Sequence, residues 1–305
     1  MLNAISGFLL VISSLLPANT AVLALRENVT QQAVRNTTDT TPRVQSITSS
    51  YAALPTTMQS SDAAIDAKAA KFYDIGSART LLAKNTDTRL PIASITKIMT
   101  ALVILQNHEL NETVTIPALP PQLDGSQAMG IKPGEQFVLS EALVGMLTLS
   151  ANDMAQALAI WDSGSEEEFV RKMNRMAAEW GLANTKYSDA TGLSSEGAYS
   201  TADDLVVLAT IALRSGFVRQ ATSQPRYTVR TTTGKPYVVT TTNQLLGKNG
   251  VIGLKTGYTL AAGQCLVSLT RQGGRAIIGV ILGSSDRFGQ TRLTLNRIER
   301  IYEWK

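Results

Sequence analysis

Beyond residue 63 the apolar residues of this chain change spacing twice, and no other feature restricts its fold as tightly. Residues 70–74 and 80–83 are short strand-like runs parted by the turn-prone Ile75-Gly76-Ser77, which predicts a hairpin. From residue 94 the spacing turns helical: Ile95, Ile98, Met99, Leu102, Val103 and Leu105 give 94–106 an apolar surface around much of one helix. Helical spacing recurs at 139–149, 153–161, 166–180 and 201–214, the last preceded by Ser200-Thr201 as a capping pair. Short β-branched runs then follow at 227–230, 237–241, 250–255, 263–270 and 276–282, before a closing helix at 291–304. Strands at both ends of a helical middle predict an α+β domain built on an antiparallel sheet.

What precedes that domain differs in kind. Residues 5–16 form an apolar core, with Val22 and Ala24 three and one positions before a cleavage point, so residues 1–24 read as an export signal. No Lys or Arg precedes the apolar core and the stretch stays uncharged to Leu25, which makes retention as an uncleaved N-terminal anchor the alternative. Residues 25–63 are rich in Thr, Ser, Gln and Asn without apolar periodicity, the composition of a flexible spacer. The catalytic domain is expected over 64–305.

Charge and rare residues narrow the chemistry. The formal charge is +4, from 28 basic and 24 acidic residues, and no Lys/Arg run is dense enough to track phosphates, so nucleic acid is excluded as a partner. A mildly basic surface suits a polyanionic cell envelope. Cys265 is the single cysteine, which rules out an intramolecular disulfide and reads as a core residue. His108 is the single histidine, which leaves no His-dependent triad and removes most zinc sites; no metal and no cofactor are expected. By position, His108 and Arg292 both read as surface residues.

Three short signals carry the chemistry. Ser94-Ile95-Thr96-Lys97 places a hydroxyl and an amine three residues apart, on one helix face. A serine attacks only when its proton is removed, and with no histidine nearby Lys97 is the remaining base; an apolar helix root would depress its pKa by desolvation. Ser150-Ala151-Asn152 lies between two predicted helices, where a hydroxyl and an amide can point into a cleft. Lys255-Thr256-Gly257 ends the run 250–255: a cation, a hydroxyl donor, and a glycine that lets a substrate approach the backbone. Each signal alone is as consistent with a solvated helix, a helix cap or a strand-end turn as with catalysis.

Their order on helix, loop and strand resembles the penicillin-recognising serine enzymes. The wider strings, 91–100 (PIASITKIMT), Ser150-Ala151-Asn152-Asp153, Gly192-Leu193 followed by Ser200-Thr201-Ala202, and 253–259 (GLKTGYT), are similar to the low-molecular-mass D-alanyl-D-alanine carboxypeptidases, serine peptidase family S11. The resemblance spans 64–304. It implies a β-lactamase/transpeptidase-like fold with an antiparallel sheet flanked by helices and a helical middle subdomain. It also implies peptidoglycan stem peptides as substrates, β-lactam antibiotics as covalent inhibitors, and a part in cell-wall synthesis and cell shape. Ser94 would be acylated, Lys97 would accept its proton, and Ser150 would pass a proton to the leaving D-alanine. Asn152 would hold the substrate amide, and Lys255 and Thr256 the terminal carboxylate. Backbone N–H groups of Ser94 and of a residue beyond Gly257, Thr259, would form the oxyanion hole. The second domain of many such enzymes is not expected after Lys305, so membrane attachment is expected at the N-terminus.

Three rivals remain. A serine β-lactamase shares all three signals but needs a deacylating carboxylate in a Glu-x-x-Leu-Asn string; the nearest stretch, Glu179-Trp180-Gly181-Leu182-Ala183-Asn184, reads instead as a helix end capped by Gly181. A D-alanyl-D-alanine endopeptidase of the same family is barely distinguishable by sequence. A non-catalytic envelope-binding module would lack the serine or the lysine, and neither is missing.

Overall fold

A computed structural model describes residues 65–120, 127–194 and 196–301. The leader expected at 1–24, the spacer at 25–63 and the last three residues of the predicted closing helix lie outside them.

Five strands form one antiparallel sheet: β1 (Ala69–Asp74), β2 (Arg79–Lys84), β7 (Val251–Thr259), β8 (Gly263–Gln272) and β9 (Arg275–Ser284), in the order β2-β1-β9-β8-β7. The first hairpin therefore pairs with the last strand, through Ala69 opposite Leu282 and Phe72 opposite Gly279. Side chains along a strand alternate between faces, and here both faces are apolar. Ile278, Val280, Leu282, Val267 and Leu269 join the core shared with the helical middle; Phe72, Leu266, Ile277 and Ile281 pack with Leu295 and Ile298 of the final helix α7 (Arg287–Ile301).

Between the strand groups stand α1 (Lys97–Asn107), α2 (Leu139–Leu149), α3 (Asn152–Ser163), α4 (Glu166–Glu179), α5 (Ala202–Ala212) and α6 (Gly216–Thr222). Small two-stranded sheets, β3 (Thr113–Thr115) with β4 (Gln136–Val138) and β5 (Arg226–Arg230) with β6 (Pro236–Thr240), complete the order. Caps explain several boundaries. Thr201 accepts the Asp204 N–H (3.1 Å) ahead of α5, and Ser165 accepts the Glu168 N–H (3.2 Å) ahead of α4, whose first turn holds three glutamates facing the positive end of the helix dipole. Helix α4 stops at Glu179 with Gly181 at φ +72°, its N–H donating to the Ala178 carbonyl (3.1 Å), so the lookalike of a deacylating glutamate is indeed a helix terminus.

The structure departs from the sequence expectation in five places. Ser94 begins not on an α-helix but on a 3-10 turn (Ala93–Thr96) that leads into α1. Asn152 is the first residue of α3 rather than a loop residue. Lys255-Thr256-Gly257 lies inside β7, which runs on to Thr259, so its side chains alternate across the sheet edge instead of closing a turn. The short α6, β3 and β4 lacked enough periodic residues to announce themselves. His108 is not a solvated surface residue: its ring is half-buried, stacked at 4.2 Å on Trp161 and set between Glu112 (2.9 Å) and the fully buried Asp162 (3.0 Å). Cys265 is buried in β8, as expected.

Candidate active site

The turn that presents Ser94 is under strain and held from two sides. Ala93 adopts φ +49°, a region that costs an L-residue of order 1 kcal/mol unless neighbours enforce it. Gly192 and Gly257 enforce it. A Cβ on Gly192 would lie 1.9 Å from the Ala93 carbonyl oxygen, and one on Gly257 would lie 2.6 Å from that of Ile92 and 3.1 Å from the Ser94 nitrogen. Gly257 thus lets β7 press its backbone on the serine turn, a contact that the short motif did not announce. Gly257→Ala should cost about 1–3 kcal/mol, because backbone must give on both sides, and should appear as a lowered melting temperature in a thermal scan. An unchanged melt would mean that this contact relaxes freely.

Ser94, Ser150, Asn152 and Thr256 line a cleft of about 740 Å³, together with Gln127, Gly257, Tyr258, Thr259 and Arg287. Lys97 and Lys255 lie beneath it, at 0% and 1% exposure. Lys97 Nζ donates to Ser94 Oγ (3.0 Å), Asn152 Oδ1 (2.6 Å) and the Thr191 carbonyl (2.8 Å). Two of those partners are oxygens that can only accept; the third is a hydroxyl that can also donate. A neutral Lys97 would keep its two N–H bonds to Asn152 and Thr191 and turn its lone pair to Ser94. Burial brings the Lys97 pKa down from 10.5 to about 7, against the upward pull of Asp189 and Asp153. The neutral amine is therefore accessible near neutrality.

Ser150 is reached by bending the chain rather than by a helix face. It terminates α2 at φ +68°, and its Oγ accepts from Lys255 Nζ (2.7 Å), which also donates to the Thr256 carbonyl (2.9 Å). The Ser150 hydroxyl proton stays available to the cleft. Burial, with the charges of Lys97 and Arg287 behind it, lowers the Lys255 pKa well below its ordinary value. Thr256 and Thr242 share a hydrogen bond between their hydroxyls across the strand edge.

Arg287 was not anticipated. At the start of α7, it donates from Nη1 to the Gly257 carbonyl (2.7 Å) and lines the cleft, whereas Arg292 is exposed. Burial lowers its pKa, and among the described residues no carboxylate sits at ion-pair distance from it or from Lys255. Starting the closing helix at 287 instead of 291 would have placed Arg287 beside the end of β9 and brought it to notice. Thr242, in the polar run Thr240-Thr241-Thr242-Asn243, carried no such signal. The eight residues singled out from the sequence all gather here, six along the cleft and two under it.

Known proteins share this architecture. A family profile described as D-alanyl-D-alanine carboxypeptidase matches residues 56–286. A D-alanyl-D-alanine carboxypeptidase of Bacillus subtilis is 36% identical over 233 residues, covering 74% of this chain and 60% of that protein; the chain thus spans about three fifths of that relative's length. The crystal structure of the Streptomyces K15 DD-transpeptidase superposes with a TM-score of 0.69 at 30% identity, covering 78% of this chain and 97% of the other. Penicillin-Binding Protein D2 from Listeria monocytogenes, in its cefotaxime-bound form, gives 0.67 at 30% identity, covering 77% and 98%.

Proposed function

We propose, given that this chain belongs to the D-alanyl-D-alanine carboxypeptidase family, that it removes the terminal D-alanine from peptidoglycan stem peptides through an ester on Ser94. The hydrogen-bond set of Lys97 carries the reading: a buried amine with two acceptor-only partners and one serine hydroxyl. In the acylation step Ser94 Oγ bonds to the penultimate carbonyl carbon, its proton moves to Lys97, and the bond to the terminal D-alanine nitrogen breaks. Ser150 passes a proton to that leaving amine, its oxygen held by Lys255, and the proton that Lys97 took from Ser94 is returned to Ser150, so that Lys97 is neutral again when water attacks the ester. The N–H of Ser94 and an N–H of the Tyr258–Thr259 segment receive the oxyanion, a contribution worth about 3 kcal/mol per donor. Asn152 holds the substrate amide. Thr256 and Arg287 meet the terminal carboxylate, with the Lys255 amine beneath them; that Arg287 has no carboxylate at ion-pair distance among the described residues supports that role. Water then hydrolyses the ester and restores Ser94.

By the same reading, β-lactam antibiotics acylate Ser94, and the enzyme works in the cell envelope on cell-wall peptides and so on cell shape. Residues 1–24 export it, either cleaved or kept as an N-terminal anchor, and 25–63 space the domain 64–305 from that leader.

The test uses the full chain. Incubation with a fluorescent penicillin, followed by mass spectrometry of the labelled peptide, should place the label on Ser94, and digestion of isolated peptidoglycan should release free D-alanine. Accumulation of uncross-linked peptides without D-alanine would make the protein an endopeptidase; rapid multiple turnover of benzylpenicillin would make it a β-lactamase.

A further inference from the structure

The wall of the cleft opposite β7 includes a loop with a single carboxylate at its centre. Asp189 accepts from the backbone N–H groups of Thr191 (2.6 Å), Gly192 and Ser194 (2.7 Å), and from the Thr191 hydroxyl (2.9 Å). Folded around that carboxylate, the loop aims the Thr191 carbonyl at Lys97 Nζ (2.8 Å) and lays Gly192 on the turn of Ser94. Ala190 is fixed on both sides, its carbonyl by the Thr100 hydroxyl (2.7 Å) and its N–H by Glu166 (3.0 Å).

The charges around Lys97 come from every element packed on it. Asp153, at the start of α3, spends its carboxylate on the N–H groups of Met129 (3.0 Å), Gly130 (2.7 Å), Ile131 (3.2 Å) and Met154 (2.9 Å). Lys255 on β7 brings a second buried amine, with Arg287 behind it, and burial and these neighbours hold its pKa down. Glu166 on α4 faces Asp189, and burial, with Asp189 adding to it, raises its pKa. Asp189 alone both shapes an acceptor of Lys97 and bears a charge that acts on it.

We propose that Asp189 is a positioning residue for the reaction: its carboxylate folds the loop that holds one Lys97 N–H on the Thr191 carbonyl, and its negative charge faces the amine from that loop. This rests on the reading of Lys97 as the base for Ser94. A negative neighbour favours the protonated amine, so removing it releases the Lys97 proton at lower pH.

The experiment is the acylation rate with a fluorescent penicillin from pH 5 to 9, on the full chain. In the wild type the rate should rise with a midpoint near pH 7, where Lys97 titrates. In Asp189→Asn the midpoint should move down by about half a unit or more. Asp189→Ser, also neutral but keeping one short acceptor, should move it the same way and serves if the first variant fails to fold. Asp189→Glu, charged but misshapen, should slow acylation with the midpoint in place. A fall by the same factor at every pH in the two neutral variants, midpoint unmoved, would overturn the proposal, because a loosened loop alone gives that result. A wild type that takes no label on Ser94 would overturn the underlying reading, and this inference with it.

Discussion

Ser94→Ala should take no covalent label from a fluorescent penicillin and should release D-alanine at least about 10⁴-fold more slowly than the wild type, since nucleophile and base act as a unit. Among the described residues, no other hydroxyl is placed to take over. Ser150 Oγ is engaged by Lys255, and Thr256 by Thr242. The fold should survive, because the turn is fixed by backbone at Gly192 and Gly257 and the Ser94 hydroxyl is partly exposed. The melting temperature is expected to stay within a few degrees, about what a ΔΔG near 1 kcal/mol would shift in a domain this size. Labelling that persisted on a folded variant would remove Ser94 from its assigned place.

Lys97→Met should lower the acylation rate by about 10²–10⁴-fold, the range for removal of a general base, and should flatten its rise between pH 6 and 8. The variant also has a stability signature whose sign follows from linkage. The wild-type lysine titrates at about 7 when folded and near 10.5 when unfolded, so between those values the unfolded chain binds more protons. Stability is then highest above pH 10.5 and declines as pH falls toward 7. Methionine removes that slope but leaves the Asn152 and Thr191 oxygens without their donor. Melting curves from pH 10 to 7 should therefore decline more steeply for the wild type. Parallel curves would mean that Lys97 keeps an ordinary proton affinity inside the fold.

The elements legible in the sequence are those whose side chains repeat. Helix α2 was bounded to the residue at 139–149 because its apolar spacing runs unbroken, and the start of α5 fell within one residue because Thr201 caps it, while its end, expected at 214, comes at Ala212. The three motifs were legible as residues, and their side chains do converge. What escaped was set by packing between distant segments. Nothing near Ser94 states that its first turn is 3-10, because that follows from Gly192 and Gly257 pressing on Ala93 from 99 and 164 positions later. Gly257 was read as room for a substrate; it lines the cleft and is also room for a neighbouring backbone. Arg287 was hidden by a misplaced helix start, and His108 by position alone, since its carboxylate partners Glu112 and Asp162 lie on different elements. A polar residue shows its type in the sequence; its partner is chosen by the fold.

The clasp of Gly192 and Gly257 on the strained Ala93 has a practical corollary. Ser94 is poised only while a loop after α4 and the outermost strand of the sheet both lie against its turn, so nucleophilicity belongs to the completed tertiary structure and not to any local segment. If Ser94 takes the label as proposed, covalent penicillin labelling becomes a conformational reporter for this domain: the labelled fraction of any population, whether freshly refolded, thermally stressed or carrying a destabilising substitution far from the cleft, would count the molecules in which the remote halves of the chain have found each other.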